Sequence, residues 1–87
     1  MLNRTAQAIW EGNLKNGRGT VEFGGGAFKG NYSFTSRFEN GKGTNPEELI
    51  AAAHSGCFAM ALSNMLAEAG YTPQQVAVTA KVSLEMV

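Results

Sequence analysis

The one side chain in this sequence able to act as a strong nucleophile is Cys57, the only cysteine among 87 residues. A thiolate reacts where a thiol does not, so the neighbours that could ionise it decide its use. Ser55 and Gly56, both weak helix formers, directly precede it. A helix broken there would put Cys57 at a fresh N-terminus, where backbone N–H groups favour a negative sulfur. His54, three residues back, falls on about the same helical face and offers a partner. The plainer readings are a small packing residue for Cys57 and a half-buried, carbonyl-bonded imidazole for His54. One histidine and one cysteine are too few ligands for a metal site within one chain, and no metal or other cofactor is expected. Gly41-Lys42-Gly43-Thr44 lacks the upstream glycine of a phosphate loop and reads as a turn into a helix cap. Gly24–Gly30 fits no dinucleotide fingerprint and reads as a flexible or bulged connection.

The elements that must hold these residues begin with strands and turns. Thr5–Glu11 alternates, with Ala6, Ala8 and Trp10 facing opposite to Thr5, Gln7, Ile9 and Glu11. Gly12-Asn13 and Asn16-Gly17 are turn chemistry, the second a dipeptide favoured in tight hairpins, and Arg18–Phe23 follows as a second strand. Gly24-Gly25-Gly26 breaks it. Tyr32–Phe38 then alternates as a third strand, with Tyr32, Phe34, Ser36 and Phe38 on one face. At Thr44 the character changes. Asn45 suits a helix cap, Pro46 the first helical position, and Glu48 completes a capping box. An Ala- and Leu-rich run follows to Ala69, with Gly70 at the C-terminal cap and Pro73 just beyond. About 24 residues of helix would span roughly 36 Å. Between Leu49 and Leu66 only His54, Ser55, Ser63 and Asn64 are clearly polar. A helix apolar nearly all round is buried on more than one side, which one small meander cannot achieve and a second subunit could. Val76–Val87 alternates as a final half-buried strand. The predicted order is β-β-β-α-β, an α+β fold with a long central helix packed on an antiparallel sheet.

Composition bounds the function. Seven basic and seven acidic residues leave no net charge, which excludes a strongly basic nucleic-acid binder. A hydrophobic share of 44% argues against disorder, and a charged share of only 16% suggests surface buried against another copy. The first residues lack the apolar core of a signal peptide, and no run of about 18 unbroken apolar residues offers a membrane span. A lone cysteine fits a reducing compartment, so a cytoplasmic protein without nucleic-acid or membrane partners is expected.

Arg37-Phe38-Glu39, followed by Gly43-Thr44-Asn45-Pro46-Glu47-Glu48-Leu49-Ile50-Ala51-Ala52-Ala53-His54-Ser55-Gly56-Cys57-Phe58-Ala59-Met60-Ala61-Leu62, resembles the OsmC/Ohr family. The likeness runs back through Ala8-Ile9-Trp10-Glu11-Gly12 and Gly19-Thr20-Val21, and forward through Glu68-Ala69-Gly70-Tyr71-Thr72-Pro73. Arg37, just ahead of the Gly-Thr-Asn-Pro-Glu-Glu-Leu segment, makes the OsmC branch the nearer one. Members are bacterial oxidative- and osmotic-stress proteins that reduce organic hydroperoxides with a reactive cysteine. The resemblance implies a thiol-dependent peroxidase and an intertwined homodimer or higher homo-oligomer with sites at the subunit interface. Organic hydroperoxide would be the substrate and a dithiol the reductant. By the same resemblance Cys57 matches the peroxidatic cysteine, Arg37 the arginine that pairs with its thiolate, and Glu47 the carboxylate that holds that arginine. Read from the residues alone, Arg37 is a surface residue on a strand and Glu47 a helix-cap carboxylate.

Ten residues of unbroken helix would separate Glu47 from Cys57 by roughly 15 Å and about 80° of rotation. Either the helix bends near Ser55-Gly56, or the glutamate of one subunit serves the cysteine of another. The resemblance further implies one OsmC-like domain over 1–87, the N-terminal portion of a longer pattern. Family members continue with more strands, a second helix and a second cysteine that captures the sulfenic acid. Without that cysteine two other readings stand beside the peroxidase. One is a non-catalytic dimerisation or binding module; the other is a one-cysteine redox sensor.

Overall fold

A computed structural model describes residues 1–85, so Met86 and Val87, the end of the expected last strand, lie outside the described residues. The chain divides into two compact units, Met1–Pro46 and Glu47–Val87.

In the first unit β1 (Ala6–Glu11), β2 (Arg18–Phe23) and β3 (Phe28–Tyr32) form an antiparallel sheet in the order β1-β2-β3. The register sets Ala6, Phe23 and Phe28 in one row, Ala8, Val21 and Gly30 in the next, and Trp10, Gly19 and Tyr32 in the third. Directly paired residues share a face, so these rows make one apolar side. Gln7, Glu22 and Lys29, with Ile9, Thr20 and Asn31, make the other. The Phe23 and Phe28 rings stack at 4.7 Å. Trp10 and Tyr32 sit on the outer strands, yet their ring centroids are 5.4 Å apart. They close over Gly19, where an added Cβ would stand 2.6 Å from each ring. Two aromatic rings thereby cover a strand glycine that has no side chain of its own to pack.

The β1–β2 connection is the six-residue loop Gly12–Gly17 that the expected strand bounds leave between Glu11 and Arg18. Its bonds are local. Trp10 Nε1 donates to the Gly12 carbonyl at 3.1 Å, Asn16 N to Asn13 Oδ1 at 2.7 Å, and Gly17 N to the Asn13 carbonyl at 2.8 Å. An asparagine side chain that mimics a backbone acceptor holds the turn.

The third strand differs from expectation. The glycines Gly24–Gly26 form a tight 3-10 turn, so β3 starts at Phe28 and Tyr32 ends it instead of beginning it. Phe34–Phe38 is then a short helix, α1, started by Ser33. Ser33 Oγ accepts from Ser36 N at 3.1 Å while Ser33 N donates to Ser36 Oγ at 2.7 Å, a reciprocal capping box. The Phe34 and Phe38 rings meet at 4.8 Å across one turn. Alternating aromatics at Tyr32, Phe34 and Phe38 mimic a strand, but paired hydroxyls satisfy the backbone of a turn of helix.

The second unit is dominated by α2, Pro46–Glu68, which runs without a break through Ser55 and Gly56. The expected break there does not occur. Ser55 Oγ bonds back to the Ala52 carbonyl at 3.1 Å, and an added Cβ at Gly56 would meet nothing. Two weak helix formers cost about 1 kcal/mol or less each, too little to interrupt a long Ala- and Leu-rich run. The far end closes as the sequence predicts. Gly70, at φ 97°, lets its own N–H reach the Ala67 carbonyl at 3.0 Å and the Tyr71 N–H reach Leu66 at 2.8 Å. These are the two bonds of a Schellman cap.

No residue of α2 is buried, and apolar side chains surround it on all sides. By length and composition α2 could cross a membrane, against the sequence expectation; the core helix of a soluble protein has the same character. Val76, Val78 and Ala80 are half-buried while Ala77, Thr79 and Lys81 are exposed, so the expected alternation is present up to Ala80. The strand is not: residues 76–85 join no ladder. Among the described residues no apolar side chain is buried, and Ser36, 5% exposed, is the one buried polar side chain.

Candidate functional site

Arg37 is carried by α1, not by a strand, one residue before the ring it covers. Its guanidinium carbon lies 5.3 Å from the Phe38 centroid, within cation–π range. Both residues, with Trp10, Leu14, Tyr32 and Phe34, line an open cleft of about 220 Å³ in the first unit. A permanently charged, forked donor thus stands on the wall of an apolar recess.

The backbone beneath Arg37 is tightly held. Its N–H donates to the Ser33 carbonyl at 3.2 Å, and the preceding Ser36 carbonyl accepts from Asn45 Nδ2 at 3.0 Å. The return loop is tied down by Gly41 N to the Thr35 carbonyl at 3.0 Å and Thr44 N to the Asn31 carbonyl at 2.8 Å.

Glu47 and Cys57 belong to the second unit. Glu47 is half-buried in the first turn of α2, where the helix dipole favours a carboxylate. Cys57 is exposed in mid-helix. It does not head a new helix, so the dipole offered by a broken α2 is not available to it. Continuous helix keeps Glu47 and Cys57 apart, at roughly 15 Å along the axis. Of the two arrangements that would let them share a site, the bend at Ser55-Gly56 is therefore excluded within the chain. His54 is exposed, and its ring lies 6.3 Å from that of Phe58, one turn on; it is not the half-buried imidazole of the plainer reading.

The sequence reading missed the aromatic cleft and the seat of Arg37. The spacing Ser33-x-x-Ser36 was the available signal for α1, muted because serine stands where glutamate or glutamine marks a capping box. Trp10 and Tyr32 meet only through strand register, which spacing along the chain does not reveal.

A family model described as "OsmC-like protein" matches residues 39–86. The chain is 54% identical over 87 residues to a protein named "Peroxiredoxin OsmC" from Escherichia coli (strain K12), and equally to one of the same name from Shigella flexneri. Each match covers 99% of this chain and 61% of the relative, so the chain spans about three fifths of their length. The family match begins one residue past α1 and takes in the return loop, all of α2 and nearly all of the chain after it. On these findings the chain belongs to the OsmC-like protein family.

Proposed function

We propose that the chain carries the peroxide-reducing half of a thiol peroxidase that removes organic hydroperoxides in stress defence. The observation that carries this reading is Arg37 on the wall of an apolar cleft, in a chain similar to proteins named peroxiredoxin. A cleft of that kind suits a substrate with a polar O–O bond and an apolar organic group.

In the proposed cycle the Cys57 thiolate attacks the terminal oxygen of the hydroperoxide. An S–O bond forms, the O–O bond breaks, and the alkoxide leaves to become an alcohol on protonation. Arg37, always charged, stabilises the thiolate and the developing alkoxide, and Glu47 orients Arg37. The oxidised product is Cys57 sulfenic acid. These 87 residues hold no second thiol. An external dithiol closes the cycle: its first sulfur displaces water to give a mixed disulfide, and its second attacks that first sulfur, releasing Cys57 as the thiolate while the reductant departs as a cyclic disulfide.

The same reading places the site between copies of the chain. An apolar α2 without a buried residue calls for a covering surface, and its continuity leaves a glutamate from another subunit to serve each cysteine. Family membership favours a core helix covered by protein over a membrane span for α2. A homodimer satisfies both conditions.

The test is consumption of cumene hydroperoxide with dithiothreitol as reductant, wild type against Cys57→Ser. Turnover abolished by the substitution supports the peroxidase. Folded wild type without turnover overturns it; sulfenic acid trapped on Cys57 at low peroxide would then favour the one-cysteine sensor.

A further inference from the structure

The peptide unit that joins Ser36 to Arg37 is gripped from two sides. On one side the Arg37 N–H donates to the Ser33 carbonyl at 3.2 Å, inside the first turn of α1. On the other, the Ser36 carbonyl accepts from Asn45 Nδ2 at 3.0 Å across nine residues of sequence. Ser36 Oγ closes the grip from below. It accepts from Ser33 N at 2.7 Å, donates to the Ser33 carbonyl at 3.1 Å, and its side chain is 5% exposed. A five-residue helix has almost no stability of its own, since nucleation takes up most of what one turn of hydrogen bonds returns. The direction in which Arg37 leaves the backbone therefore depends on bonds beyond the helix's own ladder, and the Asn45 amide reaches in from outside α1 to the peptide that carries it.

We infer that Asn45 is a positioning residue for Arg37: its side-chain amide holds the Ser36–Arg37 peptide so that the guanidinium faces the cleft. The inference rests on the peroxidase reading and adds to it a residue that touches neither peroxide nor sulfur. Asn45 immediately precedes Pro46, the first residue of α2. Misplacing a charged group by about 1 Å costs on the order of 10²-fold in rate; loosening it costs less.

The test separates positioning from folding. Asn45→Asp keeps a side chain that is as good a helix N-cap as asparagine but cannot donate to the Ser36 carbonyl. Oxidation of Cys57 by cumene hydroperoxide is followed in single turnover on the full chain by mass spectrometry of the trapped sulfenic acid. The expected result is a rate at least about tenfold lower, with helical circular dichroism unchanged. In an Arg37→Lys background the same substitution should change the already reduced rate by less than about twofold, because its target is gone. A purely structural role would penalise both backgrounds alike, and that outcome overturns the inference, as does Asn45→Asp at the wild-type rate. Asn45→Ser repeats the comparison should the aspartate variant lose its helix. If wild-type Cys57 does not oxidise at all, the peroxidase reading and this inference fall together. If it oxidises and Asn45 proves irrelevant, only the inference falls.

Discussion

The two units of this chain satisfy their backbones alike and hold their side chains very differently. In Met1–Pro46, side chains specify each other. Trp10 and Tyr32 close over Gly19, the Trp10 indole anchors the adjoining loop, and paired serines start α1. In the α2 unit, backbone groups are satisfied by the helix and its Schellman cap, but Ile50, Phe58, Met60 and Met65 stand exposed. A backbone can be complete without neighbours; an apolar surface cannot. The first unit thus owes its shape to contacts between its own side chains, whereas α2 presents apolar side chains that the single chain leaves exposed.

The sharpest way to break that contrast is to charge α2. Phe58 is 52% exposed in the single chain, so Phe58→Asp should barely disturb an isolated helix. If α2 is covered by a second copy, the same change buries an unpaired carboxylate at a cost of several kcal/mol. Sedimentation should then show dissociation to monomer; an unchanged assembly would mean that this side of α2 stays open. Next in size comes Gly19→Ala. Its Cβ would stand 2.6 Å from both rings that meet over it, and overpacking of this kind costs about 1–3 kcal/mol. A lower melting temperature, with Trp10 in a changed environment, is expected; an unshifted melt would show that the aromatic pair is not a constraint. Gly70→Ala places a Cβ in a left-handed cap at φ 97° and should cost about 1 kcal/mol, read as a fall in denaturation midpoint. The smallest effect belongs to Glu11→Gln. Its 3.5 Å pair with Arg18 involves side chains 67% and 84% exposed, and stability should stay within about 0.5 kcal/mol in chemical denaturation. A larger loss would mean that the sheet's polar face does more than stay wet.

What was legible in the sequence is what local chemistry decides. The β1 strand, the C-terminal cap of α2 and that helix's apolar girth follow from residues adjacent in sequence or one turn apart. Tyr32–Phe38 was misread because period-two aromatics and a serine-started turn of helix compete over the same residues, and two hydroxyl bonds decide between them. The predicted strand from Val76 keeps its alternation up to Ala80 and has no ladder. Which side a residue faces is local, but hydrogen bonds require a neighbour strand that no local pattern specifies. As for the site, Cys57, Arg37 and Glu47 were singled out through family likeness. The sequence did not disclose that Arg37 lines a cleft of aromatic rings, because those rings come from β1, β3 and α1 and meet only through register.

Trp10 is the chain's one tryptophan, and it lines the same cleft as Arg37 with its indole hydrogen-bonded to the loop that follows β1. Its fluorescence is thus a built-in optical reporter for that recess. An unreactive alcohol analogue of the proposed hydroperoxide substrate, entering beside the indole, should shift or quench the emission without any chemistry at sulfur. Occupancy and reaction can thereby be recorded on separate channels, light for one and mass for the other, in a single sample.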